Sequence, residues 1–196
     1  MLDVLLNCPK IDVNLLTSGR CINLYNDYGD ITALVVACRC KNHEVVKRLL
    51  QVPGIDVNYK CGDWKLTAMH LASHYSDKCC EELAKHQDVD WNSVTSIGDE
   101  TPLHRAISFG KAATTKVIMK LPGVDFTIKN MDGYTVAQLA AMSQYYDTYN
   151  IECLKLMTEV EQADFNVTDI QLCGHSRKTR WIDLRSWLTA PGLISI

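Results

Sequence analysis

Two kinds of hydrophobic segment alternate along the chain and predict two kinds of helix. The first is a short apolar block that directly follows a threonine, as in residues 32–37 (Thr-Ala-Leu-Val-Val-Ala). The second has apolar residues at helical spacing, as in residues 44–50 (Glu-Val-Val-Lys-Arg-Leu-Leu), and ends before a Pro-Gly pair at 53–54. Because threonine is a favoured helix N-cap, the pattern predicts units of turn, helix, turn and helix.

This unit recurs with a nearly constant period. An alanine holds the sixth position of every threonine block, and the blocks begin 35, 34 and 34 residues apart, at Thr32, Thr67, Thr101 and Thr135. A second landmark, an apolar residue followed by Asp, another large apolar residue and Asn or Thr, occurs at residues 11–14, 55–58, 89–92 and 124–127. One unit alone cannot bury its apolar face, so we expect the units to stack.

The threonine blocks resemble the signature of the ankyrin repeat family, Thr-Pro-Leu-His-x-Ala. That signature is intact at residues 101–106 and nearly intact at 67–72. The resemblance implies an all-α fold, an ankyrin-repeat solenoid of helix-turn-helix units joined by β-hairpin-like turns. It also implies that His70 hydrogen-bonds backbone between neighbouring units. A tetratricopeptide array has a similar period, but its Trp, Gly and Tyr landmarks are missing here.

We expect the repeats to occupy residues 1–160. A partial repeat covers 1–27, and the others cover about 28–60, 61–94, 95–128 and 129–160. The remaining segment, 161–196, does not match the repeat and contains a basic stretch at 175–180. If that segment is helical farther on, Trp181, Leu184 and Leu188 share one face. We expect this apolar stripe to cover the end of the last repeat.

The repeats also depart from the family pattern. Val35 and Gln138 replace the signature histidine in the first and fourth copies. The usual glycine after the first helix survives as Gly110, whereas Lys41, Ser76 and Gln144 stand in the other copies. The turn region between Asn14 and Thr32 and the stretch at 144–149 are longer than their counterparts, and both are predicted to be surface loops.

Composition narrows the classes of function. The chain has 196 residues, 47% of them hydrophobic, and a net charge of −3, which gives no global attraction to nucleic acid or anionic membranes. No apolar run is long enough to span a bilayer, and the first residues lack the features of a signal peptide. We therefore expect a monomer in the cytoplasm or the nucleus, and we expect the nine cysteines to be reduced thiols.

Candidate chemistry is sparse, and neither catalytic residues nor a cofactor is predicted. The stretch beginning His43-Glu44 resembles a zinc-protease helix, but Lys47 stands where the second histidine is required. His70 and His74 are four residues apart and could share a metal with Cys79 or Cys80, although the repeat role of His70 explains it better. A metal site or a Cys/His enzyme stays the alternative from a different class.

The resemblance implies a function in binding a partner protein. In the family the partner meets the turn tips and the exposed side of each first helix. In this sequence those positions carry Tyr28, Ile31, Arg39, Trp64, Leu66, His74, Tyr75, Ile97, Ser108, Phe109, Met131, Tyr134 and Met142. Every repeat places at least one aromatic residue there. An alternative within the binding functions is an adaptor, for example of a ubiquitin ligase, whose C-terminal segment docks elsewhere.

The resemblance also singles out two asparagines. In the family, an Asn that ends the Asp-Val-Asn segment and has a leucine eight residues before it can be the substrate of an asparaginyl hydroxylase. Asn14 and Asn58 meet these conditions, with Leu6 and Leu50 eight residues earlier, whereas Asn92 has Ala84 there. The structural alternative is a turn role, since asparagine tolerates tight turns and bonds nearby backbone.

Overall fold

The computed structural model describes residues 12–18, 30–143 and 151–160. These ranges contain short helices in pairs. Their bounds are α1 (Ala33–Arg39), α2 (His43–Leu49), α3 (Ala68–Tyr75), α4 (Asp77–Leu83), α5 (Pro102–Ser108), α6 (Ala112–Met119), α7 (Val136–Ser143) and α8 (Ile151–Thr158). A short antiparallel ladder joins β1 (Thr17–Ser18) to β2 (Asp30–Ile31) and so closes the base of the first long turn region.

The helices form two layers. Helices α1, α3, α5 and α7 pack side by side in one layer, and α2, α4, α6 and α8 pack side by side in the other. The two helices of each pair also contact one another, and the buried leucines, alanines and cysteines between the layers form one continuous core. The structure thus confirms the predicted all-α solenoid. None of the helices in the described ranges is long and apolar enough to cross a membrane.

The threonines begin the first helices as the sequence predicts. Thr67 and Thr101 each accept a hydrogen bond on Oγ1 from the backbone N–H three residues later, and the histidine there accepts one from the threonine N–H. In the fourth copy Gln138 replaces that histidine, and its Oε1 accepts from the Thr135 N–H at 3.0 Å. Glutamine therefore preserves the reciprocal capping pair that a histidine forms elsewhere.

The turns between paired helices differ in one informative way. Gly110 (φ 62°) and Lys41 (φ 58°) both adopt the left-handed conformation after a first helix. The second unit has one residue fewer here, and Ser76 (φ −155°) is extended and caps both α3 and α4. The alignment of Ser76 with the family glycine is therefore wrong, because the left-handed position itself is missing from that turn. Gln144 lies outside the described residues.

The cysteines in the described ranges are free thiols, as predicted: Cys38, Cys40, Cys61, Cys79, Cys80 and Cys153. All of them except Cys40 are buried in the core. Cys38, at a position that the family usually gives to alanine, packs as a small apolar side chain. The long turn at 19–29, the stretch at 144–150 and the C-terminal segment, with its Trp181 stripe, lie outside the described residues.

Candidate partner-binding face

Successive turns are joined to one another at one edge of the layer of first helices. The backbone N–H of Ser96 donates to the carbonyl oxygen of Trp64 at 3.0 Å, and that of Met131 donates to the carbonyl oxygen of Gly98 at 2.9 Å. Each turn is also closed on itself, for example by the paired backbone hydrogen bonds of Cys61 and Leu66. The turn tips therefore form a continuous, rigidly spaced edge.

This edge presents a row of large apolar side chains. Met131 is 67% exposed and Ile97 is 46% exposed, and the half-buried Trp64 packs against the core in the preceding turn. The backbone hydrogen bonds between the turns hold these three residues side by side. We call Trp64, Ile97 and Met131 the tip row.

Three rings stack on the neighbouring surface of α3 and the end of α5. The ring centroid of His74 lies 4.4 Å from that of Tyr75 and 3.7 Å from that of Phe109. Phe109 is 39% exposed, so the stack ends in an accessible aromatic face. The guanidinium carbon of Arg105 lies 5.5 Å from the centroid of the same ring, within the range of a cation–π contact.

Arg105 is buried beneath this stack although arginine is rarely buried. It is 2% exposed, and its Nη1 donates to Glu100 Oε2 at 3.1 Å. Its Nε and Nη2 find no hydrogen-bond partner in the described part of the chain. Burial raises the pKa of Glu100, while the charge of Arg105 opposes that rise. The Arg105–Glu100 pair was not predicted from the sequence. Its only sign there is the charged Arg105 within a threonine block that has no other formal charge.

His74 lies in a cationic environment. Burial lowers its pKa to about 4, and the positive charges of Arg105, Lys111 and Lys41 add to the effect. The imidazole is therefore neutral near pH 7, and its Nδ1 has no hydrogen-bond partner among the described residues. The positive charge on this part of the surface belongs to arginine and lysine, not to the histidine.

The signature histidines join one unit to the next. The Nδ1 of His70 accepts from the Thr67 N–H at 3.2 Å, and its Nε2 donates to the carbonyl oxygen of Glu100 at 3.0 Å. His104 bonds the carbonyl oxygen of Tyr134 in the same way, at 3.1 Å. Burial lowers the pKa of His70 to about 3 and that of His104 to about 4. Both nitrogens of His70 are thus engaged, which leaves none for a metal.

A comparison with protein families decides what this architecture is. The family described as ankyrin repeats matches three overlapping stretches of the chain, residues 4–95, 53–130 and 69–169. The chain belongs to the ankyrin repeat family. Ankyrin repeats are protein-interaction modules and typically have no enzymatic activity. In the described residues, no group of three or more His, Cys, Asp and Glu side chains is arranged to hold a metal ion.

Two curated proteins and a crystal structure are similar to this ankyrin chain. The SMC5-SMC6 complex localization factor protein 1 of Homo sapiens is 32% identical over 118 residues, and that of Bos taurus is 29% identical over 119. The match covers 60% of this chain but only 10% and 11% of those proteins. The ankyrin repeat protein EF0377 superposes with a TM-score of 0.68 at 21% identity, over 83% of this chain and 75% of its own.

The predicted partner-binding positions of the ankyrin repeats fall into three groups. Ile97, Ser108, Phe109 and Met131 are exposed, and Arg39, Trp64, His74, Tyr75 and Tyr134 are half-buried. Ile31 and Leu66 are only 2% exposed, so their assignment to the contact surface is wrong. Each precedes the capping threonine, where the closing turn directs an apolar side chain into the core. Tyr28 and the side chain of Met142 lie outside the described residues.

The asparagines that end the Asp-x-Asn segments, where x is Val or Trp, form a second set of links between ankyrin units. The side chain of Asn58 donates to the carbonyl oxygen of Asp88 at 2.6 Å and accepts from the Asp90 N–H at 2.8 Å. Asn14 makes the same two bonds with Gly54 and Asp56. Asn92 also does so, with Gly123 and Asp125. These contacts explain the asparagines structurally, and hydroxylation of Asn14 and Asn58 stays a prediction.

Proposed function

We propose that this chain binds a partner protein on its first-helix face, defined as the turn tips together with the exposed side of α1, α3, α5 and α7. The observation that carries the proposal is the tip row. Met131 is 67% exposed and Ile97 is 46% exposed, although the backbone around each is fixed by hydrogen bonds to the neighbouring turn. A rigid row of exposed apolar side chains has the character of a contact patch.

The surroundings of the tip row favour specific binding. Aromatic side chains contribute strongly to the binding energy of protein interfaces, and the same face carries the exposed ring of Phe109. The face is built in advance, since its turns and helices are already held by the threonine, histidine and asparagine bonds. A pre-organised surface loses little conformational entropy when it binds.

The named relatives suggest what such binding achieves. They are named as localization factors of the SMC5-SMC6 complex. We extend that class of role to this chain as an adaptor: the first-helix face holds one partner while another part of the protein engages a second. An adaptor of a ubiquitin ligase is one example of a protein with this arrangement. The residues expected to dock elsewhere, 161–196, lie outside the described residues.

Site-specific crosslinking tests the proposal directly. A photoreactive phenylalanine derivative is placed at Met131 or Ile97 on the face, and at Lys47 or Lys116 on the second helices, where both lysines are exposed. After irradiation in the source cells, mass spectrometry identifies the captured protein. We expect one protein to crosslink from both face positions and from neither control position.

Affinity measurements with that protein complete the test. Replacing Met131 and Ile97 together by alanine should weaken binding at least tenfold, since anchor residues at interfaces typically contribute about 2 kcal/mol or more. Both side chains are exposed, so the thermal melt should not change. A partner that crosslinks equally from the second helices, or that binds the double variant with unchanged affinity, contradicts the proposal. Trp64 and Tyr75 are less suitable for this test because both pack against the core.

A further inference from the structure

Two lysines occupy turn positions where local structure favours other residues. Lys41 holds the left-handed position after α1 (φ 58°), which in the third unit belongs to Gly110. Lys111 is the N-cap of α6, where its side chain makes no capping hydrogen bond, whereas Asn42 and Ser76 cap α2 and α4. Glycine and a small polar residue are the stabilising choices at these two places. Residues that oppose local stability often serve function.

The same two lysines act on one region of the first-helix face. Lys41 follows α1 and Lys111 follows α5, and both helices pack against α3, whose last turn carries His74. The positive charges of both lysines lower the pKa of that histidine. Arg105 contributes a third positive charge. Neither lysine forms an ion pair with any residue in the part of the chain that the structure describes.

Among the described residues, no carboxylate forms an ion pair with either lysine. Glu100 pairs with Arg105 alone, through one of its guanidinium nitrogens. Asp77, the acidic residue that begins α4, is exposed and forms no ion pair with Lys41 or Lys111. A local excess of positive charge therefore stands out in a chain whose net charge is −3.

Building on the proposed function, we propose that this end of the first-helix face binds an acidic segment of the partner protein. Aspartate or glutamate side chains of that segment lie against the ammonium groups of Lys41 and Lys111, and an apolar neighbour packs on the exposed ring of Phe109. Charges of this kind govern the choice and orientation of a partner more than total affinity.

A peptide fits the site better than a nucleic acid does. Lys41 and Lys111 supply only two exposed charges, and a chain with a net charge of −3 gives no global attraction to polyanions.

A display library of short random peptides, selected on the whole chain, provides the probe. We expect the enriched peptides to combine aspartate or glutamate with an aromatic or aliphatic residue and to bind more weakly as salt is raised. The test variant is K41G/K111S, and the matched control is K47A/K116A, which removes the same charge from the second helices. Synthetic copies of the selected peptides should bind the test variant about tenfold more weakly and the control unchanged.

The test variant separates binding from folding. Because glycine suits residue 41 and serine suits the N-cap at 111, K41G/K111S should melt at a higher temperature than the natural chain while it binds less. Selected peptides that lack acidic residues but still require Phe109 would overturn this inference and leave the proposed function standing. If no selected peptide depends on the first-helix face, both the proposed function and this inference are contradicted. If the lysines are required for binding single-stranded RNA and not acidic peptides, the inference is overturned in favour of a nucleic acid.

Discussion

The Nε2–H of His70 donates to the carbonyl oxygen of Glu100, which lies 3.0 Å away in space and 30 residues later in the chain. The same ring accepts the N–H of Thr67 on its other nitrogen. One buried imidazole therefore closes the cap of its own helix and fastens the turn of the following unit. Both tasks require a neutral ring with its proton on Nε2.

This requirement predicts a pH dependence of stability. Burial lowers the pKa of His70 and His104 to about 3 and 4, whereas an unfolded histidine titrates near 6.5. The unfolded chain thus binds more protons below pH 6.5, so the stability contributed by the neutral rings is complete above that pH and is lost as pH falls toward 4. We expect the free energy of unfolding in urea to fall by about 1–2 kcal/mol per histidine between pH 7.5 and 5.

The fourth unit shows which substitution isolates the contribution of the histidines to the pH dependence. Gln138 already makes the capping pair in place of a histidine and does not titrate. His70→Gln/His104→Gln should therefore fold but show a shallower decline of stability over the same pH range. A decline equal to that of the natural chain would assign the pH dependence to other groups, such as carboxylates.

The close packing of the first helices predicts the cost of a larger side chain at Ala106. This alanine is fully buried in the core between neighbouring helices. Ala106→Leu should lower the free energy of unfolding by about 1–3 kcal/mol, because a well-packed core accommodates extra methylenes only by strain. Ala113→Leu is the control, since Ala113 is exposed on α6 and should change the melt little. Equal effects at both positions would contradict the packing described here.

Because the second unit lacks the left-handed turn residue, substitution by glycine should change stability in opposite directions at residues 41 and 76. Lys41→Gly should stabilise the protein by about 0.5–1 kcal/mol, because residue 41 is left-handed and glycine adopts that conformation without strain. Ser76→Gly should destabilise it by a few tenths of a kcal/mol or more, because Ser76 is extended and its Oγ accepts the Cys79 N–H. Chemical denaturation of both variants measures these changes in the free energy of unfolding. Stabilisation by Ser76→Gly would contradict the conclusion that the second turn lacks the left-handed position.

Hydroxylation of Asn14 and Asn58 is tested by mass spectrometry of the protein from its source cells. If either residue is a substrate of an asparaginyl hydroxylase, the peptides that contain it carry one added oxygen. Asn92 is an internal control, because it makes the same two backbone bonds but lacks the leucine eight residues earlier. Unmodified Asn14 and Asn58 in cells with an active asparaginyl hydroxylase would leave the structural role as their whole explanation.

Periodic features could be predicted from the sequence, whereas features that depend on a single turn could not. The threonine blocks predicted the first helices and their caps, because an N-cap is a local property. Leu66 was assigned to the surface in error, since whether the residue before the threonine faces inward depends on how the turn closes. The Arg105–Glu100 pair was missed for a similar reason. Its partner belongs to the preceding turn, and no repeating pattern marks it.

The asparagine and histidine bonds also set how the molecule bears a load. Each of these bonds joins one unit to the next unit along the chain, so a pull along the stack passes through the junctions in series. We expect the weakest junction to yield first while the others hold, so that the chain extends in steps. A partner that spans two junctions on the first-helix face would stabilise both of them against separation.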